Sequence, residues 1–190
     1  MRNRAVFLDR DGTINEDVHR LSRAEQLRLL PNVGEAIKQI RAAQFKVVVV
    51  TNQAVIARGT ISHEALAEIH ETMREMLQAQ GATVDAIYYC PHHPTAGDGP
   101  LTISCHCRKP QPGMLFQAAE ELNIALEHSF MVGDKLSDIA SGQAAGCRTA
   151  LVRTGYGAEE EKQLNGGSVR PDTIAPDLLE VAKWILQQAS

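Results

Sequence analysis

The sequence predicts a single α/β domain over residues 1–190, built on a three-layer, doubly wound parallel sheet. Short apolar runs alternate with helical stretches, without repeats or low-complexity tracts, which is typical of strand–helix–strand units. A chain of 190 residues with 44% hydrophobic residues can also bury a full core. Charged clusters that follow the apolar runs would gather at one edge of such a sheet, where ligands bind.

The individual elements follow from local sequence. Strands are expected where apolar or β-branched residues run together, at 5–8, 46–51, 86–89, 130–132 and 149–152. Helices are expected where apolar residues recur at helical spacing near capping residues, at 32–44, from Ser62 to Gly81, from Pro112, at 136–145 and at 176–188. The segment 155–171 combines four of the 14 glycines with a charge run, and we expect a mobile loop there. The whole order corresponds to a Rossmann-like sheet.

The first strand leads directly into the motif D-x-D-G-T, which contains Asp9, Asp11 and Gly12. Residues two apart on an extended segment point the same way, so the two carboxylates should lie on one side. Two like charges held this close are unfavourable unless a cation is bound or one carboxyl group keeps its proton. The motif therefore indicates a reactive or metal-binding edge. An Asp-rich turn closed by Gly12 is the alternative.

Polar residues also follow later elements, and a parallel sheet would bring them to the same edge. The residues concerned are Thr51 and Asn52, Arg108 and Lys109, and Asp134 with Lys135 and Asp138. Taken singly, these groups are explained as well by a turn, a solvated basic pair and a helix cap. An aspartate at a strand end can, however, hold Mg²⁺, which binds through few carboxylates together with water and phosphate oxygens.

In chain order, these motifs resemble the four motifs of the haloacid dehalogenase superfamily of phosphotransferases. The resemblance covers nearly the whole chain. It implies that Asp9 is the nucleophile and Asp11 the general acid and base. It also implies that Thr51 and Lys109 hold the transferring phosphoryl group, while Asp9, Asp134 and the main-chain carbonyl of Asp11 bind Mg²⁺.

The chemistry of these residue types agrees with those roles. An ionised carboxylate can attack phosphorus without a base, so Asp9 would form an acyl phosphate that water then opens. The leaving alkoxide needs a proton and the attacking water must lose one, and Asp11 can serve both steps. Mg²⁺, Lys109 and Thr51 would offset the charge on the phosphoryl oxygens.

A second metal site is predicted from the patterns C-x-H and C-x-C within a loop at about 90–108. The candidate ligands are Cys90, His92, Cys105 and Cys107. Three thiolates and one imidazole suit tetrahedral Zn²⁺ and leave no open position, so this zinc would be structural. A disulfide pair is the alternative, and His93 or His106 could replace His92 as a ligand. Cys147 is most simply a small buried residue.

The spacing of the motifs leaves no room for a cap domain over the site. A loop and one helix fill the chain between Asp11 and Thr51, and a helix, a strand and the cysteine loop fill the chain up to Lys109. We therefore expect a capless haloacid dehalogenase fold. The zinc-bound loop would form part of the rim of the site and fix Arg108 and Lys109.

One subfamily, the D-glycero-D-manno-heptose 1,7-bisphosphate 7-phosphatases, is similar to this chain in the strings FLDRDGTIN, VVTNQ, IARG, YYCPHHP, CRKP and MVGDK. The resemblance implies that Arg108 binds substrate and that Lys135 and the loop containing Asp17 line the pocket with Asn52. Two positions depart from the subfamily. Ala54-Val55 stands where Ser-Gly is usual, and His19-Arg20 stands where Gly-Tyr is usual.

The rim would be cationic through Arg108, Lys135 and either Arg20 or Arg58, which favours a substrate with a second anionic group. The expected substrate is thus the heptose bisphosphate, cleaved at its 7-phosphate. The alternatives are a histidinol-phosphate or other small phosphomonoester phosphatase and, outside enzymes, a zinc-stabilised module that binds phosphosugars or phosphoproteins. Asp11 argues against the last of these, because a binding module has no use for a second acid.

Composition restricts the partners. The net charge of −4 gives no electrostatic reason to expect nucleic acid or an acidic membrane surface as a partner. The basic start at residues 1–4 precedes only four apolar residues, too few for a signal peptide, and no apolar run reaches membrane-spanning length. We expect a cytoplasmic monomer that acts on a small phosphosugar, with Mg²⁺ as the catalytic and Zn²⁺ as the structural metal.

Overall fold

The computed structural model describes residues 2–19 and 21–188, and its core is a six-stranded parallel sheet. The strands are β1 (Arg4–Leu8), β2 (Phe45–Asn52), β3 (Ala86–Cys90), β4 (Phe130–Gly133), β5 (Arg148–Val152) and β6 (Thr173–Ala175). Their order across the sheet is β3-β2-β1-β4-β5-β6. The strand order reverses its direction of travel at β1, so β1 and its neighbours β2 and β4 flank the switch point where open α/β sheets bind ligands.

Helices cover both faces of the sheet. They are α1 (Val33–Ala42), α2 (His63–Ala79), α3 (Gly113–Glu121), α4 (Leu136–Ala144), α5 (Gly157–Glu161) and α6 (Leu178–Gln188). One apolar cluster joins alternate residues of β1 and β2, such as Val6 and Val47, to α1, α2 and α6. The other alternate residues, such as Phe7 and Val48, pack against α3. The predicted three-layer, doubly wound architecture is thus confirmed.

The local signals that predicted these elements are visible in the structure. The side chain of Ser62 accepts a hydrogen bond from the backbone N–H of Ala65 at 3.2 Å and so caps the long helix α2. The β-branched run in β2 is buried on both faces, as such runs are in the interior of parallel sheets. All five predicted strands and the predicted helices are present, with ends that differ by at most two residues.

The prediction of a mobile loop at 155–171 is wrong. This segment contains α5 and a short 3-10 helix, Lys162–Gly166, and strand β6 follows it. β6 was not predicted because it is three residues long and carries no hydrophobic pattern of its own; it forms because β5 offers it a parallel partner. Two further 3-10 turns, Ala24–Gln26 and Leu126–His128, were also missed.

The edge of the sheet that carries the sequence motifs is open. Between β1 and β2 the described chain forms only one 3-10 turn and α1, and between β2 and β3 only α2. Neither connection holds an inserted cap, as the spacing predicted. None of the helices in the described ranges is both long and apolar enough to cross a membrane.

Candidate active site

A buried lysine lies at the centre of the motif residues. The Lys109 ammonium is 2.9 Å from Asp9 Oδ1 and 2.7 Å from Asp138 Oδ1, and it donates to the carbonyl of Val50 at 2.7 Å. Burial alone would lower the pKa of Lys109, but the carboxylates of Asp138 and Asp9 outweigh it and raise that pKa. Lys109 therefore stays charged and holds the end of β1 against the start of α4.

Asp134 has the features of a metal ligand. Its carboxylate, with those of Asp9 and Asp138, forms a group whose oxygens lie within 4.8 Å of one another. Oδ2 accepts from the backbone N–H of Tyr156 at 2.8 Å, whereas the buried Oδ1 has no hydrogen-bond partner among the described residues. Burial and the neighbouring Asp9 raise the pKa of Asp134 to about 8. A divalent cation would satisfy this orphaned buried oxygen in a group of three carboxylates of which Lys109 pairs with two, so these residues fit Mg²⁺.

Two glycines make room beside this carboxylate. Gly12 and Gly155 both have positive φ angles, 82° and 57°, and a Cβ on either would collide with Asp134 Oδ2. Thr154 also donates to the carbonyl of Gly12 at 2.6 Å, which fixes the loop after β5 beside the first motif. The Gly in D-x-D-G-T is therefore required by a close approach as well as by the turn.

Asp11 is held by three side chains that all donate to it. Arg10 reaches it through Nε and Nη2 at 2.8–3.1 Å, and Asn15 and Gln53 each donate at 2.9 Å. Burial would raise the pKa of Asp11, but the Arg10 charge and these hydrogen bonds outweigh it, so the pKa lies below its usual range. The carboxyl group is therefore ionised in this arrangement.

The end of β2 contributes polar side chains to the site and fixes the backbone of Lys109. Thr51 is buried, and its hydroxyl accepts from Gln53 Nε2 at 2.9 Å. The Asn52 amide donates to the carbonyl of Lys109 and accepts from its N–H, both at 3.1 Å. Asn52 thus fixes the backbone of the lysine in addition to lining the pocket. At the departure from the subfamily pattern, Val55 packs with Ile56 and Leu66.

These groups open into a cavity of about 570 Å³ with a charged rim. Lining residues include Asp9, Thr51, Asp17, Arg58, Arg108 and Lys135. Lys135 is not a free cation, since its ammonium lies 3.2 Å from Asp17 and 4.8 Å from the ring centroid of Tyr156. Arg58 is exposed, and Arg108 donates to the carbonyl of His92 at 3.1 Å. Arg20, the other predicted rim cation, lies outside the described residues.

The loop after the first motif meets the loop after β5 at this rim. His19 Nδ1 lies 2.8 Å from the Tyr156 hydroxyl, and Asp17 accepts from the backbone N–H of His19 at 2.9 Å. Tyr156 therefore contacts His19 through its hydroxyl, Lys135 through its ring and Asp134 through its backbone. Sequence reasoning missed it because it placed residue 156 in a mobile loop.

The four predicted zinc ligands converge next to the cavity. Cys90, His92, Cys105 and Cys107 offer donor atoms that all lie within 4.8 Å of one another. The four cysteines of the chain, all in its described part, are free thiols. His93 uses its Nδ1 to accept from the backbone of Thr95 and Ala96, so His92 is the imidazole of the cluster. Three sulfurs and one nitrogen in this arrangement fit Zn²⁺.

Comparison with known proteins agrees with this geometry. A HAD-hydrolase-like family model matches residues 106–181. D-glycero-β-D-manno-heptose-1,7-bisphosphate 7-phosphatases from Pasteurella multocida and Haemophilus ducreyi are 45% and 39% identical over 165 and 187 residues. The alignments cover 85% of this chain and 89% of the first relative, and 97% of this chain and 100% of the second. The chain belongs to this phosphatase family.

A crystal structure of a member of this family is also similar throughout. The D,D-heptose 1,7-bisphosphate phosphatase from B. bronchiseptica, complexed with magnesium and phosphate, superposes with a TM-score of 0.85 at 36% identity. The superposition covers 97% of this chain and 99% of that one. The predicted membership of the haloacid dehalogenase superfamily and the predicted subfamily are therefore confirmed.

Proposed function

We propose that this chain hydrolyses the 7-phosphate of D-glycero-D-manno-heptose 1,7-bisphosphate through an aspartyl-phosphate formed on Asp9. The observation that carries the proposal is the cluster of carboxylates from Asp9, Asp134 and Asp138, in which Lys109 pairs with Asp9 and Asp138 at the lining of an open cavity. Family membership supports it, and the relatives named above carry this activity in their names.

In the first step, a carboxylate oxygen of Asp9 attacks phosphorus and the bond from phosphorus to the sugar oxygen breaks. Lys109 holds Asp9 in place and remains charged beside the reacting oxygens. Asp11, in its protonated form, gives its proton to the departing alkoxide. It then takes a proton from the water that attacks the phosphorus of the aspartyl-phosphate and frees Asp9.

Mg²⁺, held by Asp9, Asp134 and the main-chain carbonyl of Asp11, would supply positive charge to the phosphoryl oxygens. Thr51, buried at the end of β2, faces the same floor of the cavity, and we assign its hydroxyl to a phosphoryl oxygen. A magnesium complex is known for the similar enzyme from B. bronchiseptica, which supports this cofactor.

Specificity would come from the rim, because no cap covers the site in the described part of the chain. Arg108 and the exposed Arg58 also line the cavity and offer a position for a second anionic group. Asp17, Asn52 and Lys135 would complete the sugar pocket. A bisphosphate has an anion for this position, whereas the far end of histidinol phosphate carries an amine and an imidazole.

Zn²⁺ would be held by Cys90, His92, Cys105 and Cys107 as a structural ion. With four protein ligands it has no open position for substrate. Its effect on function would be indirect, because Arg108 follows Cys107 directly and donates to the carbonyl of His92. The metal would thus fix the rim of the active site.

A substrate panel tests the function. We expect Mg²⁺-dependent phosphate release, with kcat/KM for the heptose 1,7-bisphosphate well above that for heptose 7-phosphate and histidinol phosphate. A kcat/KM for histidinol phosphate equal to or above that for the bisphosphate would favour the second candidate, a histidinol-phosphate phosphatase. Phosphosugar binding without any turnover would indicate a binding module instead.

A further inference from the structure

Arg10, in the middle of D-x-D-G-T, has no role in the mechanism above, yet it is fully buried. Its guanidinium lies between two groups. Nε and Nη2 donate to Asp11 at 2.8–3.1 Å, and Nη1 lies 3.2 Å from Nε2 of His70. His70 belongs to α2, far along the chain from Arg10, and is itself 8% exposed.

The hydrogen-bonding groups of Arg10 and His70 determine which imidazole nitrogen carries the proton. A guanidinium has only donors, so His70 Nε2 must accept from Arg10 and the ring proton must reside on Nδ1. Burial and the charge of Arg10 lower the pKa of His70 to about 3, which agrees with a neutral ring at working pH. His70 is therefore a fixed acceptor for Arg10.

The imidazole is itself held by its neighbours. Its ring meets the ring of Tyr89 edge-on, with centroids 5.9 Å apart and an interplanar angle of 61°. The Tyr89 hydroxyl in turn lies 2.9 Å from Nδ1 of His63, at the start of α2. Helix α2 and strand β3 thus fix the position at which His70 receives the arginine.

We propose that His70 is a positioning residue for catalysis, which orients the Asp11 carboxylate through Arg10. The proposal rests on the assignment of Asp11 as the acid and base. Asn15 and Gln53 also donate to Asp11, but among the described residues only Arg10 forms an ion pair with it, and Arg10 contacts the carboxylate through two nitrogens. Without an acceptor at residue 70, Nη1 would be a buried unpaired donor, and the guanidinium would turn toward another partner and move Asp11 with it.

Two variants of His70 separate orientation from packing. His70→Gln places an amide oxygen near the position of Nε2, whereas His70→Asn presents its amide too close to the backbone to reach Arg10. We expect His70→Asn to lower kcat for the heptose bisphosphate by about ten- to a hundredfold with little change in KM. The loss for p-nitrophenyl phosphate should be much smaller, because its leaving group needs no proton. His70→Gln should recover most of the activity.

Controls distinguish the role from loss of stability and from failure of the proposed function. Met73→Ala, in the buried face of the same helix, should lower Tm without changing the ratio of the two kcat values. Asp11→Asn, measured in parallel, should show the same leaving-group selectivity as His70→Asn. Suppose that Asp11→Asn slows the heptose bisphosphate selectively. Equal losses for both substrates in His70→Asn, or no recovery of activity in His70→Gln, would then overturn the role of His70. Equal losses in Asp11→Asn would remove the acid role and this proposal with it.

Discussion

At the residue scale, two buried cations, Lys109 and Arg10, determine how the aspartates of the site are paired. Lys109 bridges Asp9 and Asp138, and Arg10 is bound to Asp11, so the two aspartates of the first motif have different partners. Asp9 lines the cavity beside Lys109, whereas Asp11 is linked through Arg10 to His70 of α2. Asp134 forms no ion pair with any of the described residues and its Oδ1 accepts no hydrogen bond from them, so it is the carboxylate best placed to bind a metal.

Asp9→Asn should abolish turnover, with kcat reduced by at least on the order of 10³-fold, because an amide is a poor nucleophile. The fold should survive, since Lys109 keeps its contacts with Asp138 and the carbonyl of Val50. Phosphate release and thermal unfolding measure the two effects. A variant that retains substantial turnover would rule out Asp9 as the nucleophile.

Asp11→Asn should slow alkyl phosphates by roughly 10²–10⁴-fold and aryl phosphates much less. The reason is that an alkoxide must be protonated as it leaves, whereas an aryloxide need not be. The ratio of kcat for the heptose bisphosphate to kcat for p-nitrophenyl phosphate reports this directly. Equal losses for the two substrates would contradict the acid role.

At the scale of secondary structure, two elements outside the sheet, α2 and the cysteine loop, contact the side chains that we propose to be functional. Helix α2 carries His70, whose Nε2 lies 3.2 Å from Arg10 Nη1. The loop from Cys90 to Cys107 is followed directly by Arg108 and Lys109. We propose that each element contributes to the fold and also positions one of these residues. Changes in either should therefore be seen in stability as well as in activity.

His70 makes stability depend on pH. Its pKa is about 3 in the folded state against 6.5 as a free side chain, so the unfolded state binds more protons between these values. The free energy of unfolding should therefore fall as pH drops below about 6.5, by up to about 1.4 kcal/mol per pH unit from this group. His70→Gln should show a shallower decline between about pH 6.5 and 5 in denaturant titrations. Parallel curves for the two proteins would show that His70 is not buried as a neutral ring.

The cysteine loop should bind one zinc ion per chain. Removing it by chelation, or preventing it with Cys107→Ser, should lower Tm by roughly 10 °C or more. Zinc sites contribute several kcal/mol to folding, and at this chain length each kcal/mol lost lowers Tm by about 2–4 °C. Metal analysis and thermal unfolding check this, and Cys147→Ala should keep its zinc because Cys147 is not among the four residues whose donor atoms converge. Full turnover with zinc after Mg²⁺ is stripped would contradict a structural role.

At the scale of the whole molecule, the candidate active site lies at an open edge of the sheet. β2, β1 and β4 are neighbours in the sheet, so Thr51, Asp9 and Asp134 meet although they are far apart in the chain. Because no cap covers the cavity in the described residues, selectivity depends on the loops around it. Arg108 is the rim cation most closely tied to the catalytic floor, since Lys109 follows it.

Arg108→Ala should raise KM for the heptose bisphosphate by about 10- to 150-fold, the loss expected for one charge-assisted hydrogen bond of about 1.5–3 kcal/mol. KM for a monophosphate should change little, because only the bisphosphate has a second anion for this arginine. Arg153→Ala is the matched control, since Arg153 pairs with Glu161 and is not among the residues that line the cavity. An equal rise for both substrates would place Arg108 at the transferring phosphate instead.

Five of the six strands, the open edge and the residues that meet there could be predicted from sequence. Apolar runs identify buried parallel strands, and the carboxyl ends of such strands share one edge, so Asp9, Thr51 and Asp134 were placed together without coordinates. The C-x-H and C-x-C spacing likewise identified four donors that the fold brings within 4.8 Å of one another. These predictions succeeded because each depends on periodicity or short-range spacing.

Only the tertiary structure decided the contacts that tune those residues. The bridge from Lys109 to Asp138, the acceptor that His70 gives Arg10 and the hydrogen bond from Tyr156 to Asp134 join separate elements. None has a local signal, since a histidine on a helix face and a tyrosine in a glycine-rich segment look the same in sequence whether or not they reach a catalytic group. Side-chain partners across a core depend on packing in three dimensions, whereas strands, and the motifs that follow them, are determined by short stretches of sequence.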